Sequence, residues 1–437
     1  MKKAKLLCVL LAVALLMSGC SMRISSSIDD LISPISPFGD NADVKNALDE
    51  YAAQGYSLKT PSRGKYITAY SFFDIDRDKT DEAITFYEPS DKLGTVDMAV
   101  IKRVDDTWTV VENIEGLGVE VSSLEFADVN GDKKDDIIVC WDSIANSSNH
   151  ELAIYEYKAK KSKNKLNCFY SGITVNNYIA LDMTGDEVKD LLLFEITSGS
   201  VTRAKAELYS FSDDKARLRG ETKLDAHISS YEHLQIEEID GKNRVYADAV
   251  KTDGSSMLTE LIYWSGSYNT IISPFYSYSS GVTSGTTRSV LVTSRDINGD
   301  GRIEIPCDKE IENLPETVSC TDWRIYKNTT LITTNYSLSP KDDGYLVIIP
   351  NKVIDKIGVN YNANEKLMTV ISKEDKKEIF SIKVVLKAKY SEEQYEGFTN
   401  VFEDKGYCYL AKTGNSEKIK ISMDELKKYI KAISREE

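Results

Sequence analysis

The stretch that decides the fold is a loop of nine residues, Asp128-Val129-Asn130-Gly131-Asp132-Lys133-Lys134-Asp135-Asp136. It carries acids or an amide at positions 1, 3, 5 and 9. The same pattern begins again at Asp74, Asp182 and Asp296, and a reduced copy begins at Glu238. Successive copies start 54, 54, 56 and 58 residues apart. A repeat of this period predicts an array of similar supersecondary units.

The four complete loops carry oxygen-bearing side chains at the positions from which a tight loop can surround a hard cation such as Ca²⁺. We therefore expect Ca²⁺ as a structural cofactor in up to four sites. The alternative is a solvated polar turn, because Asp, Asn and Gly are ordinary turn residues. The four candidate ligand sets are Asp74, Asp76, Asp78 and Glu82; Asp128, Asn130, Asp132 and Asp136; Asp182, Thr184, Asp186 and Asp190; and Asp296, Asn298, Asp300 and Glu304.

The reduced copy lacks the last two acids of the pattern. Lys242 and Tyr246 stand in their places, so we expect a lysine ammonium there instead of a metal ion. An EF-hand loop needs an acid at position 12. In the four complete loops that position holds Thr85, Val139, Leu193 and Cys307, which excludes the EF-hand interpretation.

Apolar runs flank the loops and predict β-strands, because they are short and rich in β-branched and aromatic residues. Tyr66–Tyr70 precedes the first loop and Val290–Val292 the last, while Ile137–Trp141 and Leu191–Phe194 follow the second and third loops. Two more apolar runs complete each unit. Four strands per unit at this period are typical of a β-propeller blade, so we predict a mainly β fold.

The motif D-x-[DN]-G-D-x-x-x-[DE], followed by an apolar strand, resembles the FG-GAP/VCBS-type repeat of integrin-like propellers and exported bacterial proteins. The resemblance covers roughly two thirds of the chain. It implies a five-bladed FG-GAP/VCBS-like β-propeller with Ca²⁺ loops between the first two strands of a blade. The Phe-Gly…Gly-Ala-Pro cage of that family is not present. The family includes adhesion, carbohydrate-binding and enzyme-accessory proteins, so the resemblance does not fix a function.

The N-terminus is typical of a bacterial lipoprotein signal peptide. Three lysines precede the apolar run Leu6–Met17, which is too short to span a bilayer. Met17-Ser18-Gly19-Cys20 resembles a lipobox, which implies lipidation of Cys20 and a lipid anchor on the extracytoplasmic face of the cell membrane. A short transmembrane anchor and an ordinary secretory signal are the alternatives.

These observations predict five regions. The acidic loop pattern does not recur in the region after the repeats. Ser422-Met423-Asp424-Glu425 forms a capping box that predicts a helix there. The regions are a signal peptide at 1–19, a tether at 20–40, a short helix at 41–57, a propeller at 58–339 and a small α+β C-terminal domain at 340–437.

The formal net charge of -15 disfavours nucleic acid as a partner. None of the three histidines lies in a catalytic motif, and G-x-S-x-G, P-loop and G-x-G-x-x-G patterns are absent. We expect surface or capping roles for His150, His227 and His233. The sequence therefore favours a binding or scaffolding lipoprotein, with an unknown envelope protein or glycan as its partner. A carbohydrate-handling or envelope-modifying enzyme on a propeller scaffold and a sensor accessory subunit are the alternatives.

Two smaller features remain open. The aromatic loop Pro274–Gly281 is either a binding surface for sugars or proteins, or an inter-blade loop whose tyrosines cover the core. Cys307 and Cys320 flank one loop, and they could form a disulfide if export exposes them to an oxidant.

Overall fold

A computed structural model describes residues 39–145, 147–158, 165–197, 202–212 and 215–433. The fold is mainly β, with 55% of residues in strands and 8% in helices. The predicted signal peptide, the lipidation site Cys20 and nearly all of the predicted tether lie outside the described residues. In the part of the chain that is described, no helix is long and apolar enough to cross a membrane.

The first three sheets are antiparallel and follow one another along the chain. The first consists of β1 (Tyr56–Lys59), β2 (Ser71–Phe73), β3 (Glu82–Pro89), β4 (Asp97–Val104) and β5 (Thr107–Glu115). The second consists of β6 (Glu120–Ala127), β7 (Asp136–Asp142), β8 (His150–Lys158) and β9 (Lys165–Val175). The third consists of β10 (Asn177–Leu181), β11 (Asp190–Thr197), β12 (Arg203–Ser212) and β13 (Lys215–Leu224).

Two further repeat sheets and a two-stranded ribbon follow. The fourth sheet consists of β14 (Ile228–Ile239), β15 (Lys242–Lys251), β16 (Met257–Ser265) and β17 (Thr270–Ile272). The ribbon pairs β18 (Tyr276–Ser277) with β19 (Val282–Thr283). The fifth sheet has the order β20 (Ile305–Asp308), β21 (Val318–Lys327), β22 (Thr330–Pro340), β23 (Tyr345–Pro350) and β29 (Ile430–Ala432). This sheet therefore continues past residue 340, where the sequence predicted a domain boundary.

The C-terminal region adds a separate antiparallel sheet and a helix. The C-terminal sheet has the order β24 (Ile357–Asn362), β25 (Leu367–Ser372), β26 (Glu378–Leu386), β28 (Tyr407–Thr413) and β27 (Thr399–Asp404). The α-helices are α1 (Asp40–Tyr51) and α2 (Met423–Tyr429), and the 3-10 helices are Asn351–Lys356, Lys387–Lys389 and Glu392–Tyr395. The capping box of α2 is confirmed, since Ser422 and Glu425 exchange side-chain and backbone hydrogen bonds.

The repeat sheets pack face to face in chain order because their second strands are apolar on both sides. Ile137 and Val139 of β7 face the first sheet, whereas Ile138 and Cys140 face the third. Successive side chains of a strand point to opposite faces, so one continuous apolar run serves two interfaces. Further clusters join the third sheet to the fourth and the fourth to the fifth.

Different elements cover the two ends of this array. Val44 and Leu48 of α1 pack on the face of the first sheet that points away from the second. The fifth sheet packs against the C-terminal sheet through a cluster that includes Leu338, Val347 and Ile382. Among the described residues, no hydrophobic cluster joins the first sheet to the fifth.

Each complete acidic loop lies directly before the second strand of its sheet, as the repeat predicts. Two of the predicted first strands are wrong. Tyr66–Tyr70 is not a strand, and the strand that directly precedes the first loop is Ser71–Phe73, which pairs with β3. Val290–Val292 is irregular, and an isolated bridge between Arg295 and Glu304 stands in place of a first strand in the fifth unit.

Candidate metal centres

The four complete loops share one pattern of hydrogen bonds around their first aspartate. The Asp128 carboxylate accepts the backbone N–H groups of Gly131 at 2.7 Å and Lys133 at 2.8 Å, which are loop positions 4 and 6. Asp182 and Asp296 accept the same two N–H groups in their own loops. In the first loop, Asp74 accepts N–H groups from positions 5 and 6. The first aspartate therefore holds the chain in a tight turn.

The same turn forces left-handed backbone at loop positions 4 and 6. Gly131 and Lys133 have φ values of 80° and 69°, and Gly299 and Gly301 both have 82°. Glycine adopts this conformation without steric cost, whereas lysine adopts it only at some expense. The first aspartate accepts hydrogen bonds from the N–H groups of these residues. The acid therefore stabilises the left-handed conformation as much as the glycines do.

The acid at position 9 is buried in every complete loop, and it is the first residue of β3, β7 or β11 or, in the fifth loop, directly precedes β20. Its carboxylate accepts the backbone N–H of position 2 at 3.0–3.1 Å in all four loops. The second oxygen lies on the loop side in two of them, where the Asn130 amide contacts Asp136 at 3.1 Å and the Asn298 amide contacts Glu304 at 2.9 Å. Each loop thus closes around a carboxylate taken out of water.

Burial and neighbouring carboxylates disfavour the charged form of these acids. Burial, together with the charges of Asp132 and Asp128, raises the pKa of Asp136 to about 7. Burial and Asp300 likewise raise the pKa of Glu304 to about 7. A positive charge within the loop would reverse this effect by favouring the ionised acids.

The residues of the second, third and fifth loops fit a hard cation. All the side chains at positions 1, 5 and 9 are carboxylates, and position 3 adds an amide or hydroxyl oxygen. In the third loop the Thr184 Oγ1 atom is buried and has no hydrogen-bond partner among the described residues. A bound cation would give this orphaned oxygen a partner.

The first loop already contains a positive charge. Lys102 of β4 donates to Asp76 at 2.7 Å, to Asp78 at 2.7 Å and to Glu82 at 2.6 Å. Asp74, Asp76 and Asp78 each place an oxygen within 4.8 Å of the others, as carboxylates gathered around a cation do. Burial lowers the pKa of Lys102, but its bonds to the three acids outweigh burial and raise that pKa. The ammonium thus occupies the place expected for Ca²⁺.

The position of Lys102 is defined by strand pairing, since it lies across from the acid at position 9. Ala83 pairs with Ile101, so the next residues along, Glu82 and Lys102, face each other. By the same rule, Glu156 faces Asp136 in the second sheet and Ser210 faces Asp190 in the third. The sequence analysis did not include Lys102 because this residue lies outside the nine-residue loop. An antiparallel alignment of the third strand of the unit with the second would have identified it.

The fourth loop differs from the complete loops in its backbone. Ile239 pairs directly with Lys242, and Asp240 and Gly241 form a two-residue turn with φ values of 52° and 70°. The side chain of Lys242 is exposed. The lysine that takes a cation's place is Lys102 of β4, which contacts the first loop, and not Lys242 of the fourth loop as the sequence suggested.

The histidines divide into one buried and two partly exposed residues. His150 is 5% exposed, and its Nδ1 atom contacts the carboxylate of Asp142, which is also buried. The Nδ1 atom of His227 lies 2.9 Å from Asp225, and the Nδ1 atom of His233 lies 4.0 Å from Asp248. The expectation of surface or capping roles is therefore wrong for His150. Cys307 and Cys320 are free thiols.

Comparison with known proteins gives no family assignment. No family model matches the chain, and no curated protein matches it. Among solved structures, a rhamnogalacturonan lyase of Bacillus licheniformis has 13% identity and a TM-score of 0.30, with 74% of this chain and 71% of the lyase covered.

Two other solved structures are similar at the same level. The rhamnogalacturonan lyase YesW has 13% identity and a TM-score of 0.35, with 82% of this chain and 72% of that protein covered. Chaetomium thermophilum Sqt1, solved bound to the N-terminus of a ribosomal protein, has 8% identity and a TM-score of 0.34, with 69% and 81% covered. Similarity at these TM-scores carries no argument about fold or function.

Proposed function

We propose that this protein is a membrane-anchored extracytoplasmic lipoprotein that acts as a calcium-stabilised binding or scaffolding module. The observation that carries the proposal is the common geometry of the four acidic loops. Each loop joins its own start to the strand that follows by the same hydrogen bond, from the N–H of position 2 to the acid at position 9. Neighbouring acids raise the pKa of Asp136 and Glu304, and a bound cation would remove that repulsion.

We assign Ca²⁺ to the second, third and fifth loops. Bound Ca²⁺ supplies positive charge that neutralises the gathered carboxylates and links the two ends of each loop. The protein's own groups also hold the two ends of the loop together, because the position-9 acid accepts a hydrogen bond from the N–H of position 2. In the first loop Lys102 supplies the charge, so we propose that this loop needs no metal in the wild-type chain.

The proposed scaffold is an open array of five FG-GAP/VCBS-like blades. Five antiparallel sheets in chain order, each packed through both faces, support this proposal. The α1 helix covers the free face of the first sheet, and the C-terminal sheet packs on the fifth. Units that contact only their neighbours need such covering elements at the ends of the array.

The proposed location rests on the N-terminal sequence pattern. The basic start, the apolar run and the lipobox-like Met17-Ser18-Gly19-Cys20 support export and lipidation of Cys20. The net charge of -15 argues against nucleic acid as a partner, so an envelope protein or a glycan is the proposed partner class.

One observation favours a second candidate function, a carbohydrate-handling or envelope-modifying enzyme. Asp142 contacts the Nδ1 atom of His150, which leaves Nε2 as a possible proton acceptor. Incubation with 4-nitrophenyl glycosides tests this function. Release of nitrophenol that disappears in His150→Ala would favour an enzyme, and no release would favour the binding module.

Scanning calorimetry with and without Ca²⁺ tests the main proposal. A site held at 100 times its Kd stabilises the folded chain by about 2.7 kcal/mol, so Ca²⁺ should raise the Tm and EDTA should lower it. Asp132→Ala should remove the part of this Ca²⁺-dependent stabilisation that the second loop contributes. Lys242→Ala, in the turn without an acidic set, is the matched control and should leave the response to Ca²⁺ unchanged.

A further inference from the structure

The aromatic loop at residues 274–281 divides its rings between the core and the solvent. Phe275 is 9% exposed and meets the ring of Tyr326 edge to face, with 5.4 Å between the two ring centroids. Tyr278 of the same loop is 71% exposed. The loop therefore covers the core through Phe275, and this role does not account for Tyr278.

Buried hydrogen bonds hold the base of this loop in place. The backbone N–H of Thr283 donates to Asp225 at 3.0 Å, and the Thr283 hydroxyl donates to Glu260 at 2.6 Å. The N–H of Ser284 donates to the carbonyl oxygen of Phe275 at 3.1 Å. The ribbon of β18 and β19 is thus anchored in the fold, so little ordering of its backbone is needed when a ligand contacts its tip.

A cavity of about 900 Å³ lies between this ribbon and the third sheet, and we call it the tyrosine cleft. Tyr276 and Tyr278 line it from the ribbon, and residues of β12 and β13 line it from the third sheet. The two tyrosine rings meet at 89° with centroids 5.1 Å apart, so each ring supports the other. Because the ring supplies most of the surface of a tyrosine, the exposure of Tyr278 leaves its ring open to a ligand.

One lysine of the tyrosine cleft carries a charge that no acid neutralises. Lys223 of β13 pairs across the strands with Lys205 of β12. The Lys205 ammonium is held by Glu195 at 3.0 Å and by Glu207 at 2.8 Å. Lys223 is exposed and has no acidic partner among the described residues, and its Nζ atom lies 5.9 Å from the centre of the Tyr278 ring. A free cation and an open aromatic ring are therefore neighbours.

The charges that line the tyrosine cleft favour a single negative charge on the ligand. Arg203 is exposed and, like Lys223, has no acidic partner in the part of the chain that the structure describes. Glu221 is the lining acid that has no basic partner there. Two cations against one acid leave one positive charge, in a chain whose formal net charge is -15. One carboxylate on a ligand would balance that charge.

An exposed ring beside a free cation fits a sugar that carries a carboxylate. The face of an aromatic ring is negative, so it attracts the C–H groups that one face of a pyranose ring presents. The hydroxyl groups at the rim of the sugar then remain hydrated. A carboxylate on the same sugar can pair with the ammonium of Lys223, because that ammonium lies beside the ring of Tyr278.

We propose that the tyrosine cleft binds a sugar with one carboxylate, which packs its C–H face on Tyr278 and pairs its carboxylate with Lys223. The proposal rests on the proposed binding function and deepens it, since it names the ligand class of the module. It does not depend on the metal assignment, because none of the described lining residues belongs to an acidic loop. The contacts are few and exposed, so we expect a Kd of the order of 1 mM for a single sugar.

Saturation-transfer NMR on the full Ca²⁺-loaded chain tests the proposal with methyl β-D-glucuronide and methyl β-D-galacturonide. The methyl glucoside and methyl galactoside of the same anomeric form are the matched neutral sugars. At least one uronide should bind, and it should bind more tightly than its neutral counterpart, because the neutral sugar lacks the partner for Lys223.

Variants separate the ring from the charge. Tyr278→Ala should weaken binding of the uronide about tenfold, because the aromatic surface is lost, whereas Tyr278→Phe keeps the ring and should bind as the wild type does. Lys223→Met should weaken the uronide about fivefold and leave the neutral sugar unaffected. Tyr268→Ala is the control, since this tyrosine is 76% exposed and does not line the tyrosine cleft.

Four results would overturn the proposal: no binding by either uronide, equal binding of a uronide by the wild type and Tyr278→Ala, equal binding of a uronide and its neutral counterpart, or tighter binding of N-acetyl-glutamyl-glycinamide than of either uronide. The last result would show that the cleft recognises an acidic peptide. Ca²⁺-dependent melting of the same samples keeps the two proposals separate. If that melting response is normal while no uronide binds, the tyrosine-cleft proposal fails and the calcium-stabilised module stands.

Discussion

At the scale of single residues, Lys102 explains why one of four similar loops differs from the others. Its ammonium contacts three carboxylates of the first loop, whereas Ser210 stands at the equivalent position of the third sheet. Lys102→Ser should therefore convert the first loop into a metal site. We expect the count of bound Ca²⁺ to rise from three to four per chain in equilibrium dialysis.

The same substitution should also weaken the calcium-free protein. Removing the cationic partner of a buried acid leaves that charge uncompensated, so Lys102→Ser should lose about 2 kcal/mol of unfolding free energy in EDTA. Lys134→Ser changes an exposed lysine of the second loop and should affect neither measurement. An unchanged count in Lys102→Ser, or four ions in the wild type, would show that the ammonium does not replace a metal.

Glu260 predicts a pH dependence that arises from one buried acid. It accepts hydrogen bonds from Thr283 Oγ1 at 2.6 Å and Ser273 Oγ at 3.1 Å, yet burial raises its pKa from 4.5 to about 7. The folded chain holds this proton more tightly than the unfolded chain. The contribution to stability is therefore complete below pH 4.5 and is lost as the pH rises towards 7, a change of about 3 kcal/mol.

Urea unfolding between pH 5 and pH 8 in saturating Ca²⁺ measures this contribution. Glu260→Gln keeps an acceptor for the two hydroxyl groups but cannot ionise, so its unfolding free energy should fall less over that range than that of the wild type. Glu232→Gln changes an exposed acid and is the control. Parallel pH profiles for the wild type and Glu260→Gln would contradict the assignment.

At the scale of elements, the irregular segment before the fifth loop is held by a buried ion pair. Arg288 is fully buried, and its Nη2 atom donates to Asp248 of β15 at 2.7 Å. Asp248 also accepts the backbone N–H of Ser294 at 2.8 Å. These contacts replace the ladder of hydrogen bonds that a first strand would have made in the fifth unit.

Arg288→Met should therefore cost about 3–5 kcal/mol, because it leaves the carboxylate of Asp248 buried without its cationic partner. The double variant Arg288→Met with Asp248→Asn should recover part of that loss, since the unpaired charge is removed. Urea unfolding of the two variants measures both effects. A loss below about 1 kcal/mol for Arg288→Met would show that the pair does not hold the segment.

The strands after the loops could be predicted because a strand buried on both faces needs an unbroken apolar run. Ile137–Trp141 lies within β7, and Leu191–Phe194 lies within β11. The first strands were harder, because their bounds depend on pairing that local composition does not encode. Near Tyr66–Tyr70 the apolar pattern continues into Ser71-Phe72-Phe73, and only the pairing of Ser71 with Ile84 selects the later residues.

The sequence predicted the candidate metal ligands only where they lie within one loop. The ligands of one loop follow from nine consecutive residues, but the charge that completes the first loop comes from the next strand. Lys102 follows Glu82 by 20 residues, and the antiparallel pairing of β3 with β4 brings them together.

At the scale of the whole molecule, the array of sheets follows an N-terminal segment that we propose is lipidated at Cys20. Cys20→Ser should abolish acylation, because the proposed lipidated thiol is lost. Membrane fractionation should then find the protein released or retained as an unprocessed precursor. Cys168→Ser changes an exposed free cysteine and is the control. A processed Cys20→Ser chain that still partitions into detergent as a lipoprotein would contradict the proposed anchor.

We propose that Ca²⁺ neutralises the repeated acidic loops, and a direct count of bound metal tests this proposal. Equilibrium dialysis of the full chain against Ca²⁺, followed by elemental analysis, should find three ions per chain. Asp132→Ala should lower the count to two, and excess EDTA should remove all of them. A folded chain that retains no Ca²⁺ would contradict the account, because the acidic loops would then be polar turns stabilised by hydrogen bonds alone.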